Sequence, residues 1–127
     1  MNPAEVPIFE QPQMGQAVTK AVLRAADAMG LTARRLSAVI GANEPTVSRM
    51  KAGSFVLAPQ SKPYELAVLL VRLFRSLDAI VGGDSRVMQQ WLANPNIALG
   101  GKPIDKLQTI AGLTDVLAYL DARRALV

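Results

Sequence analysis

Neither cysteine nor histidine occurs among the 127 residues. Their absence removes disulfides, thiolate and imidazole metal ligands, the cysteine and serine–histidine nucleophile systems, and the side chain best suited to proton transfer near neutrality. The chain is therefore expected not to be an enzyme, and no metal or cofactor is expected. Long apolar runs are also missing. The longest, "LAVLLVRLFRSLDAIV" from Leu66, is interrupted by Arg72, Arg75 and Asp78, well short of the roughly 20 apolar residues a membrane span needs. It reads as a buried core helix, and no membrane partner is expected. The start, "MNPAEVPIFEQPQM", lacks the basic residues and apolar stretch of a secretory signal, and zero cysteine fits a reducing compartment, so the expected location is the cytoplasm.

Apolar side chains make up 50% of the sequence, enough for a real core in one domain or two very small ones. The net charge of +4 is unevenly placed. Residues 15–53 carry six basic side chains (Lys20, Arg24, Arg34, Arg35, Arg49, Lys51) against two acidic ones (Asp27, Glu44), so this segment alone holds the equivalent of the whole excess. A polyanion is the kind of partner such a segment meets.

Periodicity is helical throughout, and no stretch alternates with period two for long enough to make a strand. Residues 1–14 hold three prolines and no period, and are expected to be a flexible arm anchored by Ile8 and Phe9. A first helix is expected from Gln16, ending at Gly30 with Leu31 folding back. Thr32 caps a second helix with Leu36, Val39 and Ile40 as its stripe and Gly41 as its stop. Asn43 caps a third, with Pro45 in its first turn, Val47 and Met50 inward, and Gly53 at its end. The irregular "SFVLAPQSKP" marks a joint. Beyond it come a long helix with Leu66, Leu69, Leu70, Leu73, Leu77, Ile80 and Val81, then one capped by Asp84 or Ser85 and carrying Val87, Met88, Trp91 and Leu92. Pro103 starts a short helix with Ile104 and Leu107, and a final helix follows Gly112 with Leu113, Val116, Leu117 and Leu120 as its stripe. The expected fold is all-α, with an arm at 1–14, a helix-turn-helix at 15–58 and a second helical unit at 59–127.

Residues 32–53, "TARRLSAVIGANEPTVSRMKAG", meet the requirements of a helix-turn-helix. Leu36 and Ile40 must pack on Val47 and Met50 to fix the interhelical angle, and Gly41 takes the turn without steric cost. That leaves Glu44, Thr46, Ser48, Arg49 and Lys51 on an outer face free for a major groove. The bland alternative is a helical hairpin with a solvated charged face. The segment resembles the Xre-type, phage-repressor-like helix-turn-helix family in Gly41 at the turn, Val47 six positions on, Ser48-Arg49 and the closing Gly53. The resemblance implies that Glu44 and Arg49 read bases while Asn43, Thr46 and Lys51 lie near the DNA backbone. Arg34, Arg35, Asn43, Glu44, Thr46, Ser48, Arg49 and Lys51 are the DNA-binding candidates. Glu44 also suits the helix dipole at that position.

The C-terminal half holds more than dimerisation requires: the only tryptophan, a loop closed by Pro95 and Pro103 and loosened by Gly100 and Gly101, and Arg123-Arg124 beyond the last stripe. Trp91-Leu92, Pro95-Asn96, "ALGG" at 98–101, Pro103, Leu107, Gly112-Leu113 and "VLAYL" from Val116 resemble the toxin-binding domain of Xre/MbcA/ParS-type antitoxins, found in RES-Xre toxin–antitoxin modules. The resemblance implies an antitoxin that dimerises, represses its own operon by binding operator DNA, and covers the active site of a cognate RES-type toxin, a family that degrades NAD and has ADP-ribosyl transferase relatives. A homodimer inside a larger hetero-oligomer is implied with it. The toxin-binding candidates are Trp91, Asn94, Pro95, Asn96, Leu99, Gly100, Gly101, Lys102, Pro103, Arg123 and Arg124. By its helical spacing Trp91 also fits a core or interface-edge anchor. An ordinary dimeric repressor with no toxin partner is the alternative. Asp84, Asp105, Asp115 and Asp121 are the acids available for catalysis, and as single acids at helix starts or on outward faces they read as caps and solvated charges.

Overall fold

In a computed structural model the described residues, 11–126, form seven helices: α1 Gln11–Met29, α2 Ala33–Ile40, α3 Glu44–Ala52, α4 Lys62–Ile80, α5 Ser85–Ala93, α6 Pro103–Lys106 and α7 Ile110–Arg124. The expected all-α class holds. The one extended pairing among these residues is an isolated bridge between Asn96 and Gly101. Residues 1–10, with the expected anchors Ile8 and Phe9, lie outside the described part, and none of the described helices is long and apolar enough to cross a membrane.

Local chemistry sets most boundaries. Thr32, Asn43, Ser61, Asp84 and Thr109 each accept a backbone N–H of the first turn of the helix they precede. Gly30, Gly41 and Gly53 adopt left-handed φ of 72°, 71° and 81°, and the Leu31 and Ser54 N–H groups reach back to Ala26 O and Arg49 O at 2.8 and 2.9 Å, the closing bonds of Schellman motifs. Three sequence expectations are corrected. Helix α1 begins at Gln11 rather than Gln16, because Pro12 falls in its first turn, where a missing N–H costs no intrahelical bond. Helix α7 begins at Ile110 rather than after Gly112, because Thr109 Oγ1 accepts the Gly112 N–H at 3.0 Å. The glycine is needed there for space, since a Cβ on it would collide with the Lys106 carbonyl. Val87, expected in the apolar stripe of α5, is 43% exposed, and Met88 and Leu92 are buried on that face with Trp91 half-buried beside them.

A single cluster of buried apolar residues runs from Val22 in α1 to Leu120 in α7. Helix α4 lies at its centre, packing against α1 and α2 and also against α7, with Ala67, Leu70 and Leu73 fully buried. Each such leucine contributes roughly 1.5–3 kcal/mol by leaving water. Tyr64, at the start of α4, is buried too, and desolvation raises its phenol above the ordinary value.

The segment between α3 and α4 is held down by one polar contact that the sequence does not advertise. Thr19, 5% exposed on α1, donates its hydroxyl to Gly15 O at 2.7 Å and accepts the Leu57 N–H at 3.0 Å. Gly15 permits this, since a Cβ there would run into the Leu57 carbonyl. Thr19→Val is expected to leave the Leu57 N–H buried without a partner and to cost roughly 1–3 kcal/mol, read as a lower urea midpoint with unchanged slope, whereas Thr19→Ser should retain most of the stability.

Candidate functional site

The helix-turn-helix forms as its apolar residues require. Leu36, Val39 and Ile40 of α2 meet the core with Val47 and Met50 of α3, all 4% exposed or less. Asn43 Oδ1 accepts the Thr46 N–H at 2.8 Å, so this candidate is engaged as the cap of α3. Glu44, Ser48, Arg49 and Lys51 are exposed on the outer face, and Thr46 is half-buried at its edge. Arg49 is not free to wander: Nη2 donates to Thr46 Oγ1 at 3.1 Å, and the guanidinium carbon lies 5.8 Å from the Phe55 ring centroid. Phe55, missed from the sequence, thus helps hold the Arg49 guanidinium in place.

On α2, Arg34 is exposed while Arg35 is paired. Its Nη1 lies 3.1 Å from Asp105 Oδ1 on α6, so of the four expected DNA-binding cations one is already held by the C-terminal part of the chain. Thr32, Arg34, Arg35, Ala38 and Gln108 line a polar cleft of about 320 Å³ at this junction.

Beyond α5 the 94–103 loop closes on itself. The Asn96 N–H donates to Gly101 O at 2.9 Å, the Gly101 N–H returns to Asn96 O at 3.2 Å, and Asn96 Oδ1 accepts the Leu99 N–H at 3.1 Å. Gly100 takes φ 75°, a conformation that strains any other residue. Asn94, Pro95 and Lys102 are exposed. Two further candidates sit closer to the body of the protein. Pro103 is buried as the first residue of α6, and Leu99, half-buried, packs against the core, so both pin the loop down. The loop also presents Ile97, whose 101% exposure makes it the most exposed large apolar residue described. Its sequence signal is an isolated β-branched residue between Pro95 and Gly100, outside any helical period.

Trp91 is half-buried and stacks on Tyr119 of α7, with ring centroids 6.2 Å apart and planes at 21°. The Arg123 guanidinium lies 4.9 Å from the same Tyr119 ring. Arg124 turns elsewhere, its Nη1 3.5 Å from Ser76 Oγ, which donates to Asp121 Oδ1 at 2.7 Å. Asp121 also faces Arg72 Nη2 at 3.7 Å. The two terminal arginines, expected together on one surface, therefore serve different neighbours. Sequence reasoning missed Tyr119 and the bonds of Asp121, although Tyr119 and Arg123 stand at the i,i+4 spacing that brings side chains together on a helix.

A family profile described as the antitoxin Xre-like helix-turn-helix domain matches residues 9–72, half of the chain, and one described as the antitoxin Xre/MbcA/ParS C-terminal toxin-binding domain matches residues 76–125. The chain belongs to the Xre/MbcA/ParS-type antitoxin family. The two matched stretches meet near the end of α4. A solved structure with the same fold is the crystal structure of the M. tuberculosis MbcT–MbcA toxin–antitoxin complex, with 23% identity, a TM-score of 0.64, and an alignment spanning 96% of this chain and 98% of that one. No curated protein matches by sequence. Among the described residues of this antitoxin, no three Asp or Glu side chains gather closely enough to hold a metal ion.

Because Trp91 is the sole tryptophan, its emission reports directly on the α5–α7 contact. Tyr119→Ala is expected to shift that emission to the red and to cost roughly 0.5–1.5 kcal/mol beyond the area lost, while Tyr119→Phe should leave both near the parent.

Proposed function

We propose that this antitoxin restrains a co-encoded RES-type, NAD-degrading toxin by covering its active site with the surface of α5, the 94–103 loop and the end of α7. Through α3 it binds operator DNA and represses its own operon. It acts as a stoichiometric binder without catalysis, in the cytoplasm, as a homodimer within a larger toxin–antitoxin assembly. Pairing two readers in a dimer is how a single short helix-turn-helix gains specificity from two half-sites.

The observation that carries the toxin half of the reading is Ile97, fully exposed on a loop whose own hydrogen bonds already fix its shape, inside the stretch matched by the toxin-binding profile. An apolar side chain held so far into solvent gains by entering a partner's pocket, and a loop ordered beforehand loses little on binding. Arg123, backed by Tyr119, adds a cation whose planar fork suits polar or anionic groups at a nucleotide pocket. The DNA half rests on the capped turn and the polar outer face of α3 with Arg49 held by Thr46 and Phe55.

Co-expression with the neighbouring reading frame tests the first half. That frame alone should deplete cellular NAD and arrest growth, and the tagged antitoxin should copurify with its product and restore both. Ile97→Asp should weaken the complex by roughly 2 kcal/mol or more, as expected for an anchoring residue. Full protection by that variant, with undiminished copurification, would remove Ile97 from the interface, and a harmless neighbour would leave only a dimeric repressor.

Affinity for a promoter duplex should fall with salt at a log–log slope of about −0.9 per phosphate neutralised. Arg49→Ala is expected to relax sequence preference by roughly 1–3 kcal/mol, whereas Lys51→Ala should weaken all sequences alike and reduce the slope by about 1. A salt-independent affinity contradicts groove binding.

A further inference from the structure

We propose that Asp105 competes with a phosphodiester of bound DNA for the guanidinium of Arg35, so that the toxin-binding half controls one cation of the DNA-binding half. The inference rests on the DNA-binding reading above and adds a means of regulating it.

Arg35 projects from the first turn of α2, and in a helix-turn-helix the first helix crosses the phosphate backbone while the second enters the groove. Its natural ligand in such a complex is an anionic oxygen. In the free chain that place is taken by Asp105 Oδ1, 3.1 Å from Nη1 and 70 residues away in sequence. A carboxylate offers a guanidinium the same pair of acceptor oxygens as a phosphate. Arg34 and Gln108 line the adjoining polar cleft, so the junction already holds a second cation and an amide able to receive an anion.

The energetics permit an exchange. The Arg35 and Asp105 side chains are 35% and 58% exposed, and pairs as wet as this shift an equilibrium by about fivefold at most. A DNA phosphate, part of a dense line of charge, outcompetes one such carboxylate at low salt. Asp105 is also well placed to convey the state of the other half. It lies in α6, two residues beyond the Pro103 that closes the 94–103 loop, and α6 packs on α5 and α7. A toxin that grips this surface and shifts α6 alters how well Asp105 holds Arg35, and DNA that takes Arg35 alters α6 in return, because linkage between binding sites is reciprocal.

The test uses the full chain and a duplex spanning the promoter upstream of its reading frame. Asp105→Asn should tighten binding by about twofold to fivefold at low salt and steepen the salt slope by about one unit, as one further phosphate contact becomes available. In an Arg35→Gln background the same Asp105→Asn change should do nearly nothing. Asp115→Asn, which removes an exposed acid of α7 outside this junction, separates the specific effect from a general change in charge and should alter affinity far less. Melting curves by circular dichroism establish that each variant is folded. Asp105→Asn binding no better than the parent or the Asp115→Asn control overturns the competition and leaves DNA binding intact, as does a gain that persists undiminished without Arg35. No salt-dependent binding by the parent chain overturns the DNA-binding reading itself, and the competition with it.

Discussion

Helix α4 has to serve two sets of neighbours with one apolar surface, and the rest of the molecule is arranged around that requirement. Its buried apolar positions, Tyr64, Ala67, Leu70, Leu73 and Leu77, fall at spacings of three and four, and the same helix meets α1 and α2 of the helix-turn-helix and α7 of the toxin-binding part. Cutting the helix or tilting it would open a cavity on both sides at once, and interiors packed like crystals tolerate such gaps poorly. The helix-turn-helix and the C-terminal domain are thus fastened to one central helix. The Arg35–Asp105 pair joins the two parts at their exposed edge, away from that apolar surface.

Short helices such as α2 and α3, of 8 and 9 residues, are marginal by themselves. Their stability comes from the ends and from one buried face: Thr32 and Asn43 satisfy first-turn donors, Gly41 and Gly53 satisfy last-turn carbonyls, and Val47 with Met50 supplies the inward side of α3. That economy leaves the outer face of α3 free to be polar. On the toxin-binding side the same logic works through a loop. Asn96, Gly100 and Gly101 close its backbone, Leu99 and Pro103 hold it to the body, and Ile97 is left exposed at no cost to the local hydrogen bonding.

The polar contacts between helices divide the C-terminal surface into two parts. Trp91, Tyr119 and Arg123 form a stacked column between α5 and α7. Ser76, Asp121, Arg72 and Arg124 form a hydrogen-bonded and charge-paired set between α4 and α7. The first joins α5 to α7 through aromatic rings and a cation, and the second ties the end of α7 to the central helix. Adjacent arginines on a helix point about 100° apart, which is why neighbours in sequence serve different ends here.

The helices, their caps, the turn glycines and the inward residues of the helix-turn-helix are legible in the amino-acid order alone, because each depends on interactions three to six residues long. So is the family, whose motif combines Gly41, Val47, Ser48-Arg49 and Gly53 with "WL" at Trp91-Leu92, "ALGG" at 98–101 and "GL" at Gly112-Leu113. The start of α1 is masked because three prolines in the first 14 residues outweigh the tolerance of a first turn for one of them. Only the folded chain decides that Arg35 meets Asp105, that Thr19 holds Leu57, that Trp91 stacks on Tyr119, that Pro103 is buried, and that Ile97 stands alone in water. Those outcomes hang on which helix packs beside which, and a local period says that a face will be buried without saying against whom.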